Sequence, residues 1–220
     1  MLVSDLITDE IPPLKLTDTV EMALDWMEQF KVSHLPVVNN RELIGVVSES
    51  DLLDYNKPHE TFESAKIPLL KPVIHFNQHV YDLLKLMTSL NLTIMPVLDE
   101  NEHFKGSISL KGFVQNLANL IAVQNPGGVI VLELNVNDYS VTQIGNIVEG
   151  NDAKILSLHV ASVPESTRIE VTIKVNKEDL SRIIQTFNRY NYTIKATFQQ
   201  GGYHDDLKNR LDEFMHFLNI

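Results

Sequence analysis

The feature that most constrains this 220-residue chain is an internal repeat. Residues 20–38 align with residues 80–98 at an offset of 60, and an extra residue in the second copy then moves the offset to 61. At that offset residues 45–48 (Gly-Val-Val-Ser) align with residues 106–109 (Gly-Ser-Ile-Ser). A repeat of this kind predicts two copies of one structural unit that bury their apolar faces together.

Each copy has the pattern of a helix, two strands and a second helix. In the first copy, apolar residues at helical spacing begin at Val20, short apolar strands cover 35–38 and 43–47, and a helix begins near Ser48. We expect Asp18 to cap the first helix of copy one and Asn77 to cap its counterpart in copy two. Together the copies predict a pseudo-symmetric α/β (α+β) module.

The pattern changes after residues 125–128 (Asn-Pro-Gly-Gly), which are incompatible with a continuing helix and predict a linker. The order that follows is βαββαβ, which is the ferredoxin-like arrangement. A last helix is predicted over residues 203–220, where apolar residues recur on one stripe. The predicted ranges are strands at 129–136, 155–163, 168–175 and 192–198, with helices at 140–149 and 177–190.

Composition excludes several classes of function. The chain has 18 Lys and Arg against 29 Asp and Glu, a net charge of −11, so we expect neither nucleic acid nor an anionic membrane as partner. It has no cysteine, which removes disulfides, thiolate nucleophiles and cysteine-ligated metal sites. No apolar run is long enough for a membrane span and no signal peptide is visible, so we expect a cytoplasmic protein.

The repeat resembles a tandem CBS-domain pair (a Bateman module), and the whole layout resembles the acetoin-utilisation-type CBS proteins, in which an ACT-like domain follows. The resemblance rests on residues 35–38 (Leu-Pro-Val-Val), on residues 45–51 (Gly-Val-Val-Ser-Glu-Ser-Asp) and on their partners in the second copy. It implies CBS repeats at 1–62 and 63–124, a linker at 125–128, an ACT-like domain at 129–200 and a terminal helix at 203–220.

The resemblance implies a regulatory protein that binds an adenosine-containing ligand: AMP, ATP, S-adenosylmethionine or a dinucleotide. In the family's motif a carboxylate one turn into a helix holds the ribose hydroxyls, and a Ser or Thr at the helix start faces the phosphate. The first copy supplies Gly45, Ser48 and Asp51, and some family members place a basic residue where this chain has His34. The second copy keeps Ser109 but has Gly112 in place of the carboxylate. We therefore expect one competent site and one degenerate site.

The same residues also allow interpretations that involve no ligand. Ser48 and Asp51 are also an ordinary start of a helix, and His34 is also a common kind of strand-end residue. Family members that bind amino acids in an ACT domain have an early glycine in the loop where this chain has residues 138–141 (Asp-Tyr-Ser-Val), so we expect packing or dimerisation there, with amino-acid binding as the alternative.

No pattern for catalysis or for a metal site emerges from the sequence. We expect a non-enzymatic homodimer that senses its ligand, needs no obligatory cofactor, and uses Mg²⁺ only if ATP is the ligand. The alternative is a ligand-free scaffold for dimerisation or interaction, whose regulated partner is unknown.

Overall fold

This computed structural model describes residues 1–199, so the helix predicted at 203–220 lies outside the described residues. The chain divides into two compact units, the first over residues 1–117 and the second from Ala118 onward. The mixed α/β class predicted from the sequence is confirmed in both. In the described part no helix is long and apolar enough to cross a membrane.

The first unit contains the repeat. Its elements are β1 (Leu14–Lys15), α1 (Val20–Phe30), β2 (His34–Asn39), β3 (Glu42–Ser48), α2 (Glu49–Tyr55), β4 (Ile74–His75), α3 (Val80–Ser89), β5 (Ile94–Leu98), β6 (Phe104–Ser109) and α4 (Leu110–Leu120), which runs past residue 117. They form two three-stranded sheets of the same order, β1-β2-β3 and β4-β5-β6. In each sheet the first pairing is parallel and the second antiparallel, which confirms the predicted repeat.

The caps of the two equivalent helices differ from the prediction. Thr19, not Asp18, caps α1, since its hydroxyl accepts a hydrogen bond from the Met22 N–H at 3.2 Å. The Asp18 carboxylate instead accepts from the Lys15 N–H at 2.8 Å and closes the preceding turn. His79, not Asn77, caps α3 through its Nδ1, at 3.3 Å from the Tyr81 nitrogen. Both caps lie closer to the helix than predicted.

Each repeat pairs with the segment of chain that leads into the other repeat. We call these two stretches the leading segments. The Val3 N–H donates to the Gln78 carbonyl at 3.0 Å, so the chain start pairs with the second repeat. The Val20 N–H donates to the Glu60 carbonyl at 3.0 Å, so the segment before the second repeat pairs with the first. Val3 and Leu6 accordingly lie in the core of the second repeat. The packing boundaries therefore do not follow the boundaries of the repeat along the chain.

The second unit has the predicted βαββαβ order. Its elements are β7 (Val129–Asn135), α5 (Val141–Glu149), β8 (Ile155–Ser162), β9 (Arg168–Val175), α6 (Ser181–Arg189) and β10 (Thr193–Phe198). The sheet order is β10-β7-β9-β8, antiparallel throughout, as in a ferredoxin-like fold. Alternate residues of β7 and β9 are buried, and with the apolar faces of α5 and α6 they form one core.

Helix α6 is shorter than the predicted 177–190. The Asp179 carboxylate accepts a hydrogen bond from the Ser181 N–H at 2.9 Å, which holds the chain in a turn before the helix. Since Asp and Ser side chains bond to nearby backbone groups, they favour such a turn over continued helix.

Candidate functional site

The candidate site is the junction of β3 with α2, where Ser48 is the last strand residue and the helix cap. Its backbone is extended, and its hydroxyl accepts a hydrogen bond from the Asp51 N–H at 3.2 Å. The same hydroxyl donates to the Asp51 carboxylate at 2.5 Å and lies 3.0 Å from the Ser50 hydroxyl. Ser48 thus caps α2, as its place at the predicted helix start indicated, and its hydroxyl also holds the Asp51 carboxylate.

One Asp51 oxygen remains available for other partners. Ser48 contacts Oδ2, and Oδ1 has no hydrogen bond within residues 1–199. The carboxylate is partly buried. A partly desolvated carboxylate held in one orientation is a strong acceptor for a pair of neighbouring hydroxyls.

His34 lies beside this junction. It is the first residue of β2, and in the sheet register it pairs with Ser48. Its Nδ1 accepts a hydrogen bond from the Thr93 N–H at 3.3 Å and lies 3.1 Å from the Thr93 hydroxyl, whose oxygen also accepts from the Ser33 N–H at 2.9 Å. Since Nδ1 is an acceptor, the neutral ring carries its proton on Nε2.

Opposing effects act on the pKa of His34. Burial lowers the pKa below its ordinary value of 6.5, and the nearby charges of Asp51 and Glu49 partly oppose this shift. The net direction is downward, so the ring is neutral at pH 7. His34 can therefore donate a hydrogen bond to a ligand through Nε2 but brings no positive charge.

Gly45, the glycine of the motif, lies where the leading segment of the second repeat crosses β3. Val46 and Leu70 exchange backbone hydrogen bonds of 2.7 and 3.0 Å, so the chain before the second repeat runs against β3. A Cβ on Gly45 would lie 2.6 Å from the Leu69 Cβ and 2.8 Å from the Leu70 carbonyl oxygen. The structure thus gives Gly45 a packing role, and its contact with a ligand stays a prediction.

The second junction, between β6 and α4, lacks the carboxylate. The Ser109 hydroxyl accepts from the Gly112 N–H at 3.1 Å, as Ser48 does from Asp51, and the Asn116 amide donates to the Gly112 carbonyl at 2.9 Å. A cavity of about 550 Å³ adjoins this junction, with Lys31 and Lys111 among its lining residues. The cap geometry is therefore shared by the two junctions while the charge is not.

Two features of the site were not found from the sequence. Thr93 is the partner of His34 across the two repeats, and Lys31 lines the second cavity. The available signal was the repeat itself, since the Glu49 N–H donates to the Ser33 carbonyl at 3.0 Å and the Leu110 N–H donates to the Thr93 carbonyl at 2.9 Å. Residues 33 and 93 are therefore equivalent in the two repeats, and the Ser33 N–H donates to the Thr93 hydroxyl oxygen at 2.9 Å.

Comparison with known proteins identifies the repeats. The family model of the CBS domain matches residues 3–57 and 67–119. Among solved structures, the chain is similar to a CBS domain pair/ACT domain protein from Thermotoga maritima, with 28% identity over 54% of this chain and 98% of that chain and a TM-score of 0.47.

Two further structures are similar to this chain. One, from Vibrio cholerae, is assigned to acetoin utilization, with 23% identity over 56% of this chain and 95% of that chain and a TM-score of 0.49. The other is the protein CBSX2 in complex with AMP, with 23% identity, coverage of 54% and 96% and a TM-score of 0.46. The assignment rests on the family model and on the repeat geometry. The chain therefore belongs to the proteins that carry a tandem pair of CBS domains.

Proposed function

We propose that this protein is a non-enzymatic regulator whose CBS pair binds an adenosine-containing ligand at the Ser48–Asp51 junction. The observation that carries the proposal is the Asp51 carboxylate, held by Ser48 at 2.5 Å with its second oxygen available, beside a neutral His34. A ribose presents two neighbouring hydroxyls that such a carboxylate accepts. His34 Nε2–H and the Ser50 hydroxyl supply donors for the rest of the ligand.

The charge around the site favours a ligand with few phosphates. Residues 1–125 carry nine Lys and Arg against 17 Asp and Glu, a net charge of −8. Glu49 and Asp51 stand within the first turn of α2, and His34 is neutral. AMP, S-adenosylmethionine or a dinucleotide suits this field better than ATP, which would bring Mg²⁺ to offset its charge.

Calorimetric titration of the full chain with AMP, ADP, ATP, S-adenosylmethionine and NAD tests the proposal. We expect at least one of these to bind below millimolar concentration, and we expect Asp51→Ala to weaken it by about tenfold or more, since it removes a charged acceptor. Asp54→Ala is the matched control, because it removes an exposed carboxylate one turn-length further along α2. The proposal is wrong if no ligand binds, or if the two variants bind alike.

We further propose that the ligand acts by favouring one arrangement of the two repeats. The His34–Thr93 contact joins the repeats beside Ser48, so a ligand that engages His34 contacts the inter-repeat junction directly. The second unit, which we take to be ACT-like, or a partner protein would receive the change. The free energy by which the ligand shifts the equilibrium between the two arrangements equals the difference between its binding free energies for them.

The second candidate function is a scaffold for homodimerisation, and strand β8 favours it. Within residues 1–199 it is an edge strand of eight residues that pairs only with β9, and it contains neither proline nor Asp, Glu, Lys or Arg. Its second half is exposed, including Val160 at 46%. A long edge strand without charge is a template for pairing with another strand, and a second copy supplies an identical edge.

Sedimentation of Ala161→Lys tests this candidate. The substitution places a charge on the exposed face of β8, and two such charges would approach each other across a twofold pairing. We expect a dimer in the parent and a shift toward monomer in the variant, whereas Thr197→Lys on the opposite edge strand β10 leaves the dimer intact. A monomeric parent, or equal dissociation of the two variants, counts against β8 as the interface.

A further inference from the structure

The sheet of the second unit has one face that α5 and α6 do not cover. These helices pack on the buried side chains of β7 and β9, and the alternate residues of both strands lie on the other side of the sheet. We call this other side the open face. An antiparallel sheet can leave one face to water, so the residues on the open face decide whether it needs a cover.

One half of the open face carries charges that are already paired. Arg168 forms an ion pair with Glu133, and Lys195 forms one with Glu170. These four residues belong to the rows of the sheet near the end of β7 and the start of β10. Paired charges of this kind suit a surface that faces water.

The other half of the open face is apolar, and it lies where β7 begins and β10 ends. The register places Val129 beside Phe198 and Val131 beside Ala196, in two adjacent rows. None of these four side chains packs into a hydrophobic core within residues 1–199, and Phe198 is 61% exposed. We call these four residues the apolar patch.

The patch is uncovered on the side where the described chain ends. Toward β8 the chain before β7 approaches the same face, because the Ser157 hydroxyl donates to the Ile121 carbonyl at 3.1 Å. Toward β10 no such contact exists within residues 1–199. Phe198 is the last residue of β10, so the rest of the chain starts beside the patch.

We propose that residues 203–220 of the same chain cover the apolar patch as an amphipathic helix. Their sequence has apolar residues at helical spacing on one stripe: Leu207, Leu211, Phe214 and Leu218. Only residues 199–202 separate Phe198 from this segment, and four residues reach at most about 14 Å. Two of the four are glycines, which permit a tight reversal of the chain onto the sheet.

Length and charge suit this placement. A helix over residues 203–220 is about 27 Å long, and the eight residues of β9 extend about 26 Å, so the helix fits along the sheet. Asp205 and Asp206 stand near the start of the segment. Lys174 lies on the open face in the same row as Val129 and forms no ion pair within residues 1–199, so it is available to these carboxylates.

A single thiol can test this contact, since the chain has no cysteine of its own. Val131→Cys places the thiol in the patch, and its rate of reaction with a maleimide measures how well the patch is covered. Leu211→Asp puts a charge in the stripe, so it should raise that rate by about tenfold or more. Asn209→Asp introduces the same charge on the opposite side of the predicted helix and should leave the rate unchanged.

Asn146→Cys is the control thiol, because Asn146 is exposed on α5, on the other side of the sheet. Its rate should be the same in the parent, in Leu211→Asp and in Asn209→Asp. A change there would show that Leu211→Asp unfolds the second unit, and the cross-link described next then decides the question.

Cross-linking distinguishes the chain's own segment from that of a second copy. Val131→Cys combined with Leu211→Cys should react with a short bis-maleimide to give a linked monomer, whereas Asn146→Cys combined with Leu211→Cys should not. A covalent dimer would assign the contact to a second copy and would overturn the proposal. Equal linking of the two pairs, or a Val131→Cys rate that neither Asp variant changes, would overturn it as well.

Discussion

His34 connects the proposed ligand site to the junction between the repeats. Its Nδ1 accepts from Thr93 of the other repeat, while the ring lies in register with Ser48. Burial lowers its pKa, against the smaller raising effects of Asp51 and Glu49. Protonation would convert Nδ1 from an acceptor to a donor that faces the Thr93 N–H, which breaks this cross-repeat hydrogen bond.

This predicts a pH dependence of stability in the first unit. Because the pKa of folded His34 lies below the unfolded value of 6.5, its contribution is present above pH 6.5 and is lost as pH falls through the folded pKa. We expect a loss of about 0.5–1.5 kcal/mol in unfolding free energy, the range for one hydrogen bond. Trp26, the one tryptophan of the chain, lies in α1 and reports urea unfolding of this unit by fluorescence.

His34→Asn is the test variant, since its amide oxygen can accept from the Thr93 N–H without titrating. Its unfolding free energy should fall less between pH 7 and pH 5 than that of the parent. His59→Asn, at a side chain that is 86% exposed, should follow the parent curve. Parallel curves for the parent and His34→Asn would contradict the role of His34.

At the scale of elements, the exchange of leading segments explains why the motif begins with glycine. Residues 69–70 cross β3 at Gly45, and Ile7 crosses β6 at Gly106, where φ is +148°. In both places the approaching chain occupies the space of a Cβ. The glycines therefore allow the strands that carry Ser48 and Ser109 to be covered by the other repeat's leading segment.

Gly45→Ala should destabilise the first unit by about 1–3 kcal/mol, because its Cβ would overlap the Leu69 Cβ and the Leu70 carbonyl. Gly112→Ala is the matched control: its Cβ meets only the Ser109 hydroxyl at 3.2 Å, and alanine favours helix, so it should stay within about 1 kcal/mol of the parent. Urea unfolding followed by Trp26 fluorescence measures both. Equal stability of the two variants would show that the crossing tolerates a side chain.

At the scale of the whole molecule, the chain is two compact units with separate cores. Binding to the first unit stabilises that unit by mass action whether or not the second responds. If the ligand's effect is relayed, the second unit must itself change when the ligand binds to the first. The quantity to measure is therefore the protection of the second unit's helices and strands from hydrogen exchange.

Hydrogen exchange with saturating AMP, or with whichever nucleotide of the calorimetric panel binds, measures that response. Ligand contact should slow exchange in β2 and β3, and a relay should also change exchange by about twofold or more in α5 and α6, which corresponds to about 0.4 kcal/mol. Asp51→Ala at the same ligand concentration should show neither change. Protection confined to the first unit would contradict a relay into the second and would favour a separate partner.

The sequence by itself determined the repeat, the βαββαβ order and the start of α2 at Ser48. These follow from local rules: apolar spacing and helix caps. The same rules predicted the wrong cap residues for α1 and α3, which are Thr19 and His79 and not Asp18 and Asn77. They failed there because several neighbouring residues are able to cap a helix.

Only the tertiary structure decided the contacts between distant segments. The exchange of leading segments, the Thr93 bond to His34 and the presence of Lys31 and Lys111 at one cavity each bring together residues that are far apart in the chain. Spacing along the chain says nothing about such pairs, because they depend on how two repeats pack around their pseudo-twofold axis.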